Sequence, residues 1–150
     1  MNEFGLISNI KQWIKNDARV LVGIGDDTTV LRPGKNKDIL FTTDMLIEDR
    51  HFRRKDATPY EIGRKALAVN LSDIAAMGGV PTHAVVAIGL PKKCTGAFAK
   101  ELYRGLQDLA RRFRVNIVGG DTNRSEKLIL SVALLGEVEK SKAVDRKSVV

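Results

Sequence analysis

The order of elements written into this sequence predicts an α+β or α/β sandwich, with helices packed on a sheet. Three observations carry that prediction. Apolar residues recur at helical spacing in three stretches, and apolar runs of strand length lie between and after them. Glycine and proline punctuate the boundaries. The resulting order is helix, two strands, helix, strand, helix, two strands.

Residues 4–14 carry Leu6, Ile7, Ile10, Trp13 and Ile14 at helical spacing and predict the first helix. Residues 19–32 are rich in strand formers but are broken by Gly23-Ile24-Gly25-Asp26-Asp27, and Pro33-Gly34-Lys35-Asn36 reads as a turn. The run Ile39, Leu40, Phe41, Met45, Leu46 predicts a strand over 38–47. A helix over 59–77 follows: Thr58 is placed to cap it, Pro59 sits in its first turn, Glu61 lies three residues on, and Gly78-Gly79 ends it. Residues 80–90 predict a strand, 95–113 a long amphipathic helix, and 115–118 a short strand ending at Gly119-Gly120. A last strand covers 128–138, and 140–150 is a charged tail without apolar periodicity.

Composition narrows the function classes. With 150 residues, 43% of them hydrophobic, the chain has the length and apolar content of one globular domain with a core. The longest apolar runs, such as 84–90, are too short to cross a bilayer, and Met1, Asn2 and Glu3 do not open a secretory signal. Cys94 is the single cysteine, which excludes a disulfide framework or a thiolate metal cluster within the chain; a reducing cytoplasm is the expected location. The net charge of +7 raises nucleic-acid binding, but its clusters, Arg50-His51-Phe52-Arg53-Arg54-Lys55 and Arg111-Arg112-Phe113-Arg114, match no nucleic-acid motif. The second cluster complements a helix C-terminus instead. Neither nucleic acid nor a membrane is an expected partner.

The chemistry resides in aspartates at unusual places. Asp26 and Asp27 follow a Gly-Ile-Gly turn, and Asp44 lies within the most apolar strand, after Thr42-Thr43. Asp73 lies near a helix C-terminus, where the dipole disfavours an anion, and Asp121 follows Gly119-Gly120. Singly, each has an ordinary structural explanation as a turn or solvated residue. Together they point to a hard-cation site: oxygen ligands without histidine or cysteine clusters favour magnesium over zinc, and magnesium held by carboxylates commonly serves phosphate chemistry. The Gly-x-x-x-x-Gly-Lys-Ser/Thr loop, the dinucleotide fingerprint and the protein-kinase signatures are all missing. A nucleotide would therefore be held mainly through metal ions.

In order and spacing, Gly23-Ile24-Gly25-Asp26-Asp27, Thr42-Thr43-Asp44, His51-Phe52, the block from Lys65 to Gly78 (KALAVNLSDIAAMG) and Gly119-Gly120-Asp121-Thr122 resemble thiamine-monophosphate kinases. These belong with aminoimidazole ribonucleotide synthetase and selenophosphate synthetase. The resemblance implies a mixed β-sheet with helices on one face, ferredoxin-like, that dimerises sheet to sheet into a barrel-like core. It implies ATP-dependent phosphorylation of thiamine monophosphate, with ATP as co-substrate and several magnesium ions. It implies magnesium contacts at Asp27, Thr42, Thr43, Asp44, Asp73 and Asp121, nucleotide contacts at Gly120, Asp121, Arg146 and Tyr103, and a substrate contact at His51. No general base is implied, because the attacking phosphate oxygen is already ionised. Residues 1–138 would be the magnesium- and ATP-binding domain and 139–150 a connector toward a second domain that this chain lacks. On that expectation the chain alone binds nucleotide but turns over poorly. Rival readings are another ATP-using enzyme of the same superfamily with a different acceptor, or a non-catalytic nucleotide-binding module.

Overall fold

A computed structural model describes residues 3–15, 17–18, 20–22, 30–31 and 33–144. Along the chain run helix α1 (Glu3–Trp13), strands β1 (Val20–Val22), β2 (Val30–Leu31) and β3 (Lys37–Ile47), and helix α2 (Pro59–Ala76). Strand β4 (Val80–Leu90), helix α3 (Gly96–Phe113) and strands β5 (Asn116–Arg124) and β6 (Ile129–Glu139) complete it. The small β1–β2 pair is antiparallel. Among the described residues no helix is long and apolar enough to cross a membrane.

Strands β3, β6, β4 and β5 form one mixed sheet in that order. β3 and β6 are antiparallel, as are β6 and β4, whereas β4 and β5 run parallel, joined by α3 as crossover. α2 and α3 pack against each other on one face of this sheet, as the sequence order requires for an α+β fold. The pleat sorts the side chains: along β6, Leu130, Val132, Leu134 and Val138 are buried toward the helices, and Ser131, Ala133, Leu135 and Glu137 on the alternate face are only partly covered. Ala84, Val86 and Ile88 of β4 join them, facing Leu67, Ile74, Leu102 and Leu106 in the core.

The helix ends follow local chemistry. Thr58 and Glu61 form a reciprocal capping box, each side chain bonding the other's backbone N–H at 2.8–3.2 Å. Thr95 caps α3, whose other end closes on Arg114 in the left-handed conformation (φ 57°) with its N–H on the Ala110 and Arg111 carbonyls. The end of α1 is fastened elsewhere in the fold: Gln107 Nε2 donates to the Trp13 carbonyl at 2.6 Å, and the Asp17 N–H donates to Asn116 Oδ1 at 3.1 Å.

One element departs from expectation. β5 does not stop at Gly119-Gly120 but runs on to Arg124, because parallel pairing with β4 continues through Val86↔Gly120, Ala87↔Asp121 and Leu90↔Arg124. The register shifts between Ala84 and Val85, which leaves Val118 as an extra residue on β5. Glycine at 120 is a steric necessity there: its φ is +155°, and a Cβ would lie 1.9 Å from the Val86 carbonyl oxygen.

Candidate functional site

β3 carries the Thr42-Thr43-Asp44 run, and its pleat divides it. Thr42 and Asp44 share the partly covered, helix-side face with Leu40 and Leu46, and Thr43 faces the other way with Phe41 and Met45. α2 crosses that helix-side face, and its last turns bring Asp73 to the strand. The Thr42 hydroxyl donates to Asp73 Oδ2 at 2.7 Å. Thus two positions 31 residues apart in sequence meet, and Asp44 lies two residues along the same face. Asp73 is exposed, although Asn70 one turn before it is fully buried and donates Nδ2 to the Ala66 carbonyl at 3.1 Å.

Asp121 belongs elsewhere on the sheet. The register sets it level with Ala87, Ser131 and Met45 across all four strands. Three strand spacings put it about 14 Å from β3. It is a strand residue rather than a turn residue, exposed, and its Oδ2 accepts from Asn123 Nδ2 at 2.6 Å. Among the described residues no three histidine, cysteine or acidic side chains converge as a metal cage. Asp27 and Arg146 lie outside the described residues. The groups that do meet, the Thr42 hydroxyl and the Asp73 carboxylate, with Asp44 along the same face, offer only hard oxygen. That set fits magnesium, which needs only one or two carboxylates when phosphate oxygens and water complete its shell.

Tyr103 is drawn away from any cleft. It is 4% exposed on the core side of α3, its ring 6.3 Å from that of Trp13. Burial pushes its phenol well above the ordinary range. An aromatic at helical spacing has gone to the core here, as aromatics on an amphipathic helix commonly do.

His51 occupies the loop between β3 and α2. A groove of about 470 Å³ opens there, lined in part by Asp49, Arg50, His51, Phe52, Arg53 and Lys65. The Ile47 N–H donates to His51 Nδ1 at 3.0 Å, so the neutral ring carries its proton on Nε2 and presents a donor. Lys65 Nζ bonds the His51 carbonyl oxygen. Three cations, Arg50, Arg53 and Lys65, and a ring N–H share this opening with the carboxylates of Asp49, Asp56 and Glu61; the cations and the ring N–H are the groups that suit an anion there. Sequence reasoning named Arg50 and Arg53 only as part of a basic cluster and Lys65 only as the start of the 65–78 block, and gave none of them a role at the site.

The loop also holds a pair that sequence reasoning missed. Glu48 is buried, its Oε1 accepting from Arg54 Nε at 2.6 Å and its Oε2 from the Leu128 N–H at 2.9 Å. Arg54 Nη1 reaches Cys94 Sγ at 3.8 Å. Burial raises the Cys94 thiol above its usual value while Arg54 pulls it down, so the thiol stays protonated and is a poor nucleophile.

Residues 25–138 match the family described as AIR synthase related protein, N-terminal domain. The thiamine-monophosphate kinase of Bacillus subtilis (strain 168) is 40% identical over 144 residues, 95% of this chain and 44% of its own length. A crystal structure of thiamine-monophosphate kinase from Stenotrophomonas maltophilia K279a superposes with a TM-score of 0.83 at 36% identity, over 97% of this chain and 45% of that one. The structure of AaThiL complexed with AMPPCP and TMP superposes with a TM-score of 0.70 at 38% identity, over 96% of this chain and 44% of that one. The chain thus spans less than half the length of these relatives.

Proposed function

Because the chain belongs to the AIR synthase related family, whose N-terminal domain it carries over residues 25–138, we propose that it serves ATP-dependent phosphorylation of thiamine monophosphate to thiamine diphosphate. The observation that carries this reading is the joining of Thr42 to Asp73, which makes an oxygen-only edge between β3 and α2 with Asp44 beside it. Kinases of that name are its relatives, and one related structure holds AMPPCP, an ATP analogue, together with TMP.

In this reading Thr42, Asp44 and Asp73 would hold one magnesium ion, and Thr43 and Asp121, which lie on the other face of the sheet, would with Asp27 hold further ions. Bound magnesium neutralises the two polyanions that must approach each other. The protein's own part is positioning. Gly120 and Asp121 of β5 and Arg146 address the nucleotide, and His51 donates from Nε2 to the acceptor within the groove beside α2. A phosphate oxygen of thiamine monophosphate attacks the γ-phosphorus in line, the bond to the β–γ bridging oxygen breaks, and ADP leaves. The nucleophile is already ionised, so no side chain need remove a proton.

Residues 1–138 act as the magnesium- and nucleotide-binding domain and 139–150 as a connector toward the part that the longer relatives supply. The chain works as a homodimer joined sheet to sheet into a barrel-like core. Ile39, Phe41, Met45 and Val85 support that arrangement, since they are exposed apolar residues on the sheet face that α2 and α3 leave open. A cytoplasmic location suits its single unpaired cysteine.

The test is a melting series. Magnesium should raise the melting temperature and AMPPCP should raise it further, by mass action on the folded state. Asp44→Asn or Asp73→Asn should remove the magnesium-dependent part. A melting temperature indifferent to magnesium would remove the metal claim. Thiamine diphosphate formation, assayed for the chain alone and joined to the remainder of a relative, then separates this acceptor from another phosphate acceptor.

A further inference from the structure

We propose that Glu48 and Arg54 are positioning residues for His51, closing the loop that presents its ring. The inference rests on the reading above that His51 contacts the acceptor. The loop leaves β3 at Glu48 and reaches Arg54 with His51 near its middle, and the two ends meet through Arg54 Nε on Glu48 Oε1 at 2.6 Å. The closure is anchored outside the loop as well. Glu48 takes the Leu128 N–H on Oε2 and gives its own N–H to the Leu128 carbonyl at 3.0 Å, and Arg54 lies against Cys94 of the β4–α3 connection.

Inside the closed loop the geometry is demanding. Asp49 holds a left-handed backbone (φ 65°), and its N–H bonds the Phe52 carbonyl at 2.8 Å. Aspartate is among the few non-glycine residues that adopt that conformation in turns, and the bond to Phe52 fixes it here. The His51 N–H returns to the Ile47 carbonyl at 2.9 Å while the Ile47 N–H fixes the ring at Nδ1. Among the described residues the ring is anchored by a backbone amide at the foot of the loop, and its aim depends on the two ends staying together. Glu48 is a buried carboxylate with both oxygens engaged, and without Arg54 its charge would lack a cationic partner within contact. Water would then enter at the loop base, and the ring would lose the Ile47 amide.

The experiment uses the whole chain and ring-nitrogen NMR of His51. In the unaltered protein the neutral ring should show one tautomer, protonated at Nε2. Arg54→Lys keeps the charge but not the side-on Nε donor, and Glu48→Gln keeps an oxygen for the Leu128 amide while removing the ion pair. Both should lose the single-tautomer signature with the rest of the spectrum native, and thiamine monophosphate should bind about tenfold more weakly, the loss of one good hydrogen bond. Leu106→Ala, a core truncation between the helices, should lower the melting temperature and leave the His51 signature intact. An unchanged signature in Glu48→Gln overturns the proposal, as does an equal change in Leu106→Ala, which would mark a general effect of destabilisation. The acceptor reading fails separately, if His51→Ala leaves thiamine monophosphate binding unaltered while the NMR result stands.

Discussion

Replacing Gly63 with alanine probes how α2 is held over β3. On an open helix face the change should stabilise, because alanine is a better helix former by about 0.8–1.0 kcal/mol. Gly63, however, faces α3 so closely that a Cβ would lie 2.0 Å from the Leu102 carbonyl oxygen, and a Cβ on Gly105 would lie 2.0 Å from the Tyr60 carbonyl oxygen. Carbon and carbonyl oxygen normally approach to about 3.3 Å, so the helices must part by about 1.3 Å. Both obstructing atoms are backbone, and no rotamer change relieves them. Overpacking of this kind costs about 1–3 kcal/mol and sometimes more, which outweighs the propensity gain when helices must move as units. Both obstructions being backbone puts the cost near the top of that range, about 3 kcal/mol. After a gain of about 1 kcal/mol the expected net loss is about 2 kcal/mol, or about 4–8 °C in melting temperature for a chain of this size. Thermal and urea denaturation of Gly63→Ala, Gly105→Ala and the pair measure it. The double variant should lose less than the sum, since one separation relieves both contacts. A Gly63→Ala protein as stable as the parent or more so would refute the reasoning.

Glu61, held below its ordinary range first by the Thr58 N–H and then by the Thr58 hydroxyl, contributes stability at neutral pH that is lost as pH falls below the ordinary glutamate value of 4.5; Glu61→Gln should flatten that acid-side loss in pH-dependent melting curves. Tyr103 is the opposite case: folding raises its phenol, so its contribution is complete below the unfolded value of 10.0 and declines as pH rises beyond it. Tyr103→Phe should reduce the alkaline loss of stability, and in the parent Tyr103 should develop phenolate absorbance only on unfolding. Phe41, 70% exposed on the open sheet face, should govern self-association; Phe41→Lys is expected to shift the particle to a monomer in light scattering with little change in melting of the monomeric unit.

Much of this protein was legible along the chain. The capping box at Thr58 and Glu61 is a local interaction between residues three apart, so reading the sequence was enough to place the start of α2. The β4 and β6 strands were legible from apolar runs that record burial, whereas the β3 run marked a strand whose Ile39, Phe41 and Met45 stay exposed. The oxygen-rich chemistry of Thr42, Asp44 and Asp73 was also visible, because residue type alone fixes donor hardness.

Other features depend on which segments the fold brings together. The bond between Thr42 and Asp73 exists because α2 crosses β3, and no spacing rule reports a contact over 31 residues. β5 continues past two glycines because β4 supplies a parallel partner, which placed Asp121 in the sheet rather than in a turn. Tyr103 went to the core because α3 turns that face toward Trp13. The closure of the His51 loop rests on a buried carboxylate shared by Arg54 and the Leu128 amide, 80 residues away. Local propensities, periodicity and donor chemistry are properties of short windows, so the sequence alone determined the elements and the kind of ligand they suit. Distance, burial and register arise from packing between windows, and only the tertiary structure decided which of those residues meet.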